Sequence, residues 1–366
     1  MTPEEAIAYL IDCDLLAPHD IVRGEVRVSD SSARNSALSV RRTTQSGLFL
    51  KQLASVAPGI GSAEGEFYAQ VTAGGSLSTL GQWMPAMRRY DATSAVLVLE
   101  LVHDALTARD AALGHARDSA LPDIAGAAAP LGAALATCHA IARETDDPLR
   151  EGLSHMVPFA FQLGFPSPRI LRHVCPLQLD MLTLLQRQDG LPDCARARQQ
   201  GWTFESLTHG DVRWTNLLIV PPSPDGGSAS VRLIDWEHAG IGDPAWDVAC
   251  ALHSWLVHAI ETLQLSEHDD PGSASVMFLK VLQPLQLQMG VFWSAYVARL
   301  DGDRASAEAI LARALGYIPV RLLQTAWEWA SDRPRMTPFI LLTIQLAVNL
   351  LRRPVKATAS LVGIGV

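Results

Sequence analysis

Three features of the sequence predict an α+β chain of two lobes, a small antiparallel-sheet N-lobe and a larger, mainly helical C-lobe. Residues 21–102 alternate short β-rich runs with polar turns. Beyond about residue 103 the chain becomes alanine-rich with helical periodicity. One exception interrupts that stretch: Leu217–Val220 and Val231–Ile234, joined by the linker PPSPDGGSAS, read as a hairpin with a solvent-exposed loop.

The elements follow in order. Residues 1–20 predict an amphipathic helix, with Ile7, Leu10, Ile11 and Leu15 at helical spacing and Pro18 closing it. Val22–Val28 predicts a first strand, Ser29–Ser36 a polar turn, and Ala37–Arg41 and Leu48–Leu53 two further strands. Ala63–Val71 reads as the one helix of this lobe, and Ala95–Val102 as an apolar strand leading into the second lobe. Val276–Leu300, broken at Pro284, and Ala305–Trp329 predict a helical C-terminal part. Phe339–Leu351 is interrupted by Thr343, Gln345 and Asn349 and reads as a buried helix rather than a membrane span. The division expected is an N-terminal lobe over 1–102, a C-lobe core over 103–250 and a helical subdomain over 251–366.

With 366 residues, 48% of them hydrophobic and 18% charged, the chain has ample material for a large core. A formal net charge of -9 argues against a nucleic-acid binder, since phosphate backbones are held by excess Lys and Arg. Five scattered cysteines, an odd number without a C-x-x-C pair, read as reduced, mostly buried thiols. The acidic start MTPEEAIAYLIDCD lacks the pattern of an export signal, so a cytoplasmic location without membrane contact is expected. Lysine is scarce: Lys51, Lys280 and Lys356 are the only three.

The chemistry concentrates in Leu207-Thr208-His209-Gly210-Asp211-Val212-Arg213-Trp214-Thr215-Asn216, followed across the hairpin by Asp235-Trp236-Glu237. Phosphoryl transfer needs a carboxylate to take the acceptor's hydroxyl proton and oxygen ligands to hold magnesium on the nucleotide phosphates. Asp211 and Asn216, five apart, and Asp235 at the end of an apolar strand supply those groups in a workable order.

These segments resemble the aminoglycoside phosphotransferase and choline kinase superfamily, which has a protein-kinase-like fold. The likeness covers a His-x-Asp-x(4)-Asn loop, Asp235-Trp236-Glu237 in place of Asp-Phe-Gly, and Gly242-Asp243-Pro244-Ala245-Trp246-Asp247, similar to the family's Gly-Asp-Pro-x-x-Asp. The resemblance implies Asp211 as catalytic base, Asn216 and Asp235 as Mg2+ ligands, His209 as an orienting residue and Asp247 as a buttress of the loop. Arg213 stands where protein kinases carry a lysine that reaches the transferred phosphate. It reads either as a stabiliser of that charge or as a surface ion pair.

On the nucleotide side, Lys51 ends a strand as the kinase lysine does, with Glu64 preferred over Glu66 as its partner because Phe67 and Tyr68 follow at the family's spacing. Backbone groups of Glu100 and Val102 are expected at the adenine. The loop between the first two strands has no glycine, and Ser31, Ser32 and Asn35 are expected at the phosphates. That departure leaves ATP and GTP both open. His139 reads as a core histidine.

From residue 251 onward nine Asp and Glu stand against ten Lys and Arg, which moves the reading away from polycationic aminoglycosides. The acceptor expected is a hydroxyl of a small molecule or of Ser/Thr in a precursor peptide of natural-product biosynthesis. In the peptide case a partner lyase would follow, and Arg321, Trp327, Trp329 and Arg333 would line an exposed groove. An aminoglycoside-type antibiotic kinase and a catalytically silent pseudokinase are the alternatives.

Overall fold

The computed structural model describes residues 1–30, 37–43, 46–53, 62–114, 124–143, 147–155, 157–222, 229–263, 271–300, 304–331, 333–353 and 355–365. Helix α1 (Pro3–Asp12) opens the chain, held by a capping box in which Thr2 and Glu5 bond each other's backbone N–H. Strands β1 (Val26–Asp30), β2 (Ala37–Arg42), β3 (Leu48–Gln52), β4 (Met87–Asp91) and β5 (Val96–Glu100) form one antiparallel sheet in the order β1-β2-β3-β5-β4. Helix α2 (Ala63–Ala73) lies between β3 and β4 in sequence.

Strand β5 explains its own composition. Successive side chains of a strand point to opposite faces. Val96 and Val98 pack with Leu38, Val40, Leu48 and Leu50 and, from α1, Ala6 and Leu10. Leu97 and Leu99 join Phe67, Tyr68 and Val71 of α2 in the main core. A strand covered on both faces needs an unbroken apolar run, which Val96-Leu97-Val98-Leu99 supplies.

The second half is helical around two small antiparallel sheets. Strands β6 (Leu106–Thr107), β8 (Leu217–Val220) and β9 (Ser230–Leu233) form one, and β7 (Ser206–Thr208) pairs with β10 (Gly240–Gly242) in the other. The longer helices are α3 (Ile124–His139), α4 (Pro176–Gln186), α5 (Leu191–Gln200), α6 (Pro244–Thr262), α7 (Pro271–Arg299), α8 (Arg304–Ser331) and α9 (Pro338–Leu351). Helix α7 runs close against α3 at Gly132, where a Cβ would stand 2.3 Å from the Phe292 carbonyl oxygen. Among the described residues no helix is long and apolar enough to cross a membrane.

Three expectations need correction. Val22 does not begin a strand: it ends a short helix, Pro18–Val22, and is 88% exposed. Pro18 opens that turn, and Gly24, at φ +69°, redirects the chain before β1. Pro284 does not break its helix; α7 continues through it. Buried Leu282, Leu285, Met289, Phe292 and Tyr296 on both sides of the proline outweigh the lost backbone bond, a cost of about 3 kcal/mol. Of the five free cysteines only Cys138 and Cys250 are buried, the other three being half-buried.

Candidate active site

The segment from β7 to β8 is shaped by backbone bonds to one carboxylate. Asp247, on the first turn of α6 and 0% exposed, accepts the His209 N–H at 2.7 Å on Oδ2 and the Gly210 N–H at 2.9 Å on Oδ1. Trp246 Nε1 donates to the Gly210 carbonyl at 2.9 Å. Gly210 has φ +83°, and a Cβ there would lie 2.6 Å from the His238 carbonyl oxygen, so the turn demands glycine. Asp247 itself is steadied by His139, whose Nε2 lies 3.2 Å from Oδ2 and whose Nδ1 lies 2.9 Å from the Tyr296 hydroxyl.

His209 is buried, and its Nδ1 accepts the Asp211 N–H at 3.3 Å. That fixes the tautomer: Nε2 carries the proton and donates to the Ile234 carbonyl at 3.1 Å. Burial lowers its pKa against the pull of Asp247 and Asp211, so the ring stays neutral and ties the loop to the end of β9. The ring also leans on Trp236, 4.5 Å away between centroids.

The loop thereby presents Asp211, 6% exposed. Asn216 Nδ2 donates to Asp211 Oδ2 at 3.1 Å and to its carbonyl at 3.0 Å. Arg213 Nη2 lies 2.7 Å from Oδ2, and Arg321 Nη2, from α8, lies 3.4 Å from Oδ1. Burial pushes the Asp211 carboxyl up, but the two guanidiniums outweigh it and hold the pKa below the ordinary carboxylate value. Arg213 also pairs with Glu328 at 3.1 Å, so it is a half-buried bridge between the loop and α8 rather than a surface ion pair.

In the N-terminal sheet, Lys51 on β3 is 9% exposed and donates to Glu64 Oε2 at 2.6 Å and to Asp235 Oδ1. Ser62 caps α2 by accepting the Gly65 N–H at 3.1 Å, which sets Glu64 facing inward, while Glu66 is exposed. Burial alone would lower the Lys51 pKa; Glu64 and Asp235 raise it, and the ammonium stays charged. Burial raises Glu64, more than Lys51 holds it down. Asp235 sits at φ +67°, ψ +61°, a left-handed conformation that directs the chain from β9 into the turn Trp236–His238. Trp236 stacks on Phe67 at 5.2 Å, fastening that turn to α2.

The remaining expected residues divide. Glu100 ends β5, with its N–H donated to Ala86 and its carboxylate 3.4 Å from Arg88; Val102 follows it, half-buried. Ser31, Ser32 and Asn35 lie outside the described residues. Arg321 is 1% exposed and Trp327 8%, so they do not line an exposed groove. Arg321 is instead the Asp211 contact that the sequence reading missed. Its signal was a lone charge inside the apolar run Tyr317-Ile318-Pro319-Val320-Arg321-Leu322-Leu323, where burial requires a charged partner.

Residues 101–269 match the model of the phosphotransferase enzyme family (APH). The fold is kinase-like. It resembles an ethanolamine kinase of Plasmodium vivax, with a TM-score of 0.55 at 12% identity, over 95% of this chain and 87% of that one. It also resembles a choline/ethanolamine kinase family protein of Mesorhizobium loti, with a TM-score of 0.52 at 16% identity, over 100% of both chains. No curated protein sequence matches the chain. The phosphotransferase match spans β6 through α6 and so contains Asp211, Asn216, Asp235 and Asp247, whereas Lys51 and Glu64 lie outside it.

Proposed function

We propose that the protein is an ATP- and magnesium-dependent phosphotransferase that phosphorylates a hydroxyl group of a small molecule, with Asp211 as the residue that receives the hydroxyl proton. The observation that carries this reading is that four parts of the fold, the β7–β8 segment, the end of β9, β3 and α2, bring Asp211 against Asn216 and Lys51 against Glu64 and Asp235, the two sets being tied by the His209–Ile234 bond. A silent pseudokinase would have no need of both sets.

The donor set fits magnesium. Asn216 commits its amide nitrogen to Asp211, leaving Oδ1 as its lone-pair group, and Asp235 offers a partly exposed carboxylate. Among the described residues no cluster of three or more His, Cys, Asp or Glu forms a metal cage. Magnesium bound with a nucleotide needs only one or two protein ligands, the phosphates and water completing the shell. When bound it supplies charge neutralisation at the phosphates.

Lys51, held charged by its two carboxylates, binds nucleotide phosphate oxygens in this reading. Asp211 orients the acceptor. The bond from the transferred phosphorus to the ADP oxygen breaks as the acceptor oxygen bonds it, and the hydroxyl proton passes to the Asp211 carboxylate. Because the Asp211 pKa is held low, its main contribution is to position the hydroxyl, the proton moving late in a loose transition state. Arg213, adjoining that carboxylate, is placed to stabilise charge on the transferred group.

The test is ADP release and mass detection of an added phosphate across amino alcohols, aminoglycosides, sugars, nucleosides, hydroxy acids and Ser/Thr peptides, with Asp211→Asn as control. Turnover that survives Asp211→Asn unchanged would remove this mechanism. Phosphate appearing on the peptides alone would put the precursor-peptide reading, with its partner lyase, in place of the small-molecule one. Phosphorylated aminoglycoside would restore the antibiotic-kinase alternative.

A further inference from the structure

Two adjoining cavities open among the arginines of the second lobe. The inner one, about 90 Å³, has Arg213, Trp214, His253, Arg321 and Glu328 in its wall. The outer one, about 240 Å³, has Arg333 and Phe339, and Arg109, Glu261 and Trp329 line both. Together they reach the lower end of small-molecule sites, roughly 300 Å³. Arg213 and Arg321 of the inner wall also pair with Asp211, the carboxylate on which an acceptor hydroxyl would be placed.

The charges of the wall are lopsided. Four guanidiniums, of Arg109, Arg213, Arg321 and Arg333, face two carboxylates in the wall, of Glu261 and Glu328, with Asp211 behind Arg213 and Arg321 as a third. Both carboxylates are already answered. Glu328 lies 3.1 Å from Arg213 and 3.8 Å from Arg321, and Glu261 lies 2.8 Å from Arg109. An ammonium entering here would find each carboxylate shared with a guanidinium.

The hydrogen-bonding groups lean the same way. Trp214 Nε1 and Arg213 Nε are buried and have no partner among the described residues. Both are donors only, and a buried donor calls for an acceptor oxygen. Trp214 is itself 6% exposed.

We propose that the acceptor carries, besides the hydroxyl that receives phosphate, a negatively charged oxygen group, held in these cavities by the Trp214 N–H and the guanidiniums of Arg109 and Arg333. This deepens the phosphotransferase reading and rests on it. It identifies the substrate class as an anionic alcohol, a hydroxy carboxylate or a hydroxyalkyl phosphate, and disfavours amino alcohols and aminoglycosides.

The experiment compares kcat/KM for matched acceptors: short ω-hydroxy carboxylates, hydroxyalkyl phosphates, the corresponding neutral hydroxy amides, and amino alcohols of equal length. The anionic compounds are expected to exceed their neutral counterparts by at least about tenfold, with amino alcohols lowest. The carboxylate and phosphate arms tell the two anions apart. In Arg333→Glu and Arg109→Glu that ratio should fall toward one, the neutral acceptor serving as an internal control for folding. A preference for amino alcohols, or an anion preference that survives both reversals, overturns the inference and leaves the phosphotransferase reading intact. ADP release no greater than that of Asp211→Asn with every acceptor overturns that reading, and this inference with it.

Discussion

Arg321 reaches Asp211 from 110 positions away in the chain, its Nη2 3.4 Å from Oδ1, and on its other side donates to Thr325 at 3.0 Å. Asp211 is therefore tuned by a helix that carries none of the recognisable loop residues. Replacing Arg321 by Met removes a cation from Asp211 and should move the acidic limb of the kcat profile to higher pH, because the carboxyl then protonates more readily. Stability should drop by about 3–5 kcal/mol, the usual cost of breaking a buried pair. Arg321→Lys, which keeps the charge, should restore much of the pH profile. A limb that does not move in a folded Arg321→Met protein would contradict the assignment.

Lys51 should be separable from its partner. Lys51→Met is expected to lower kcat about 10²–10³-fold, the loss typical of one preorganised charge at a reacting phosphate. Glu64→Gln keeps a hydrogen-bond acceptor 2.6 Å from the ammonium and should chiefly weaken nucleotide binding. Steady-state kinetics with varied nucleotide reads both. Equal effects of the two changes on kcat would argue against a direct role for the lysine.

Asp247→Asn leaves one of the two N–H groups of His209 and Gly210 facing an amide nitrogen. A loss of about 2–3 kcal/mol in urea unfolding is expected, with kcat falling although no reacting group has been removed. Nucleotide affinity should change little, since Lys51 and Glu64 belong to β3 and α2, outside the loop that Asp247 holds. A large loss of nucleotide binding would show that the buttress reaches further than the loop.

Histidine burial predicts a pH dependence of stability. His253 is 3% exposed, with Nε2 2.9 Å from the Thr325 hydroxyl, and burial next to Arg321 holds its pKa well below the ordinary value. The unfolded chain takes up a proton near pH 6.5 while the native protein does not, so stability falls as pH drops below about 6.5. Each such histidine steepens the fall by up to about 1.4 kcal/mol per pH unit. His253→Gln should flatten the curve measured by urea unfolding between about pH 7.5 and 5. Parallel curves for the two proteins would assign the slope elsewhere.

Local signals carried most of the site. Asp211, Asn216, Asp235 and Asp247 fall in short motifs whose spacing is set by one turn and one hairpin, and the Lys51–Glu64 pair follows from a strand end and the capped helix after it. The lone charge of Arg321 in its apolar run marks it as buried and paired, but its partner, and the part played by Glu328, were out of reach because both depend on how α8 is laid against the loop. Pro284 misled for a related reason. The rule that proline ends a helix is local, whereas the packing of Leu282 through Tyr296 that overrides it is tertiary. Val22 failed through its turn chemistry, since Pro18 and Gly24 govern its backbone more strongly than its own β-branching does.

The scarcity of lysine has a practical consequence. Lys280 and Lys356 are exposed, whereas Lys51 is 9% exposed and engaged by two carboxylates. An amine-directed reagent should decorate the two surface lysines at once and reach Lys51 only when Glu64 and Asp235 let it go. Peptide mapping of that single slow modification would report on the Lys51–Glu64–Asp235 contact from within, against a background of two lysines and the α-amine.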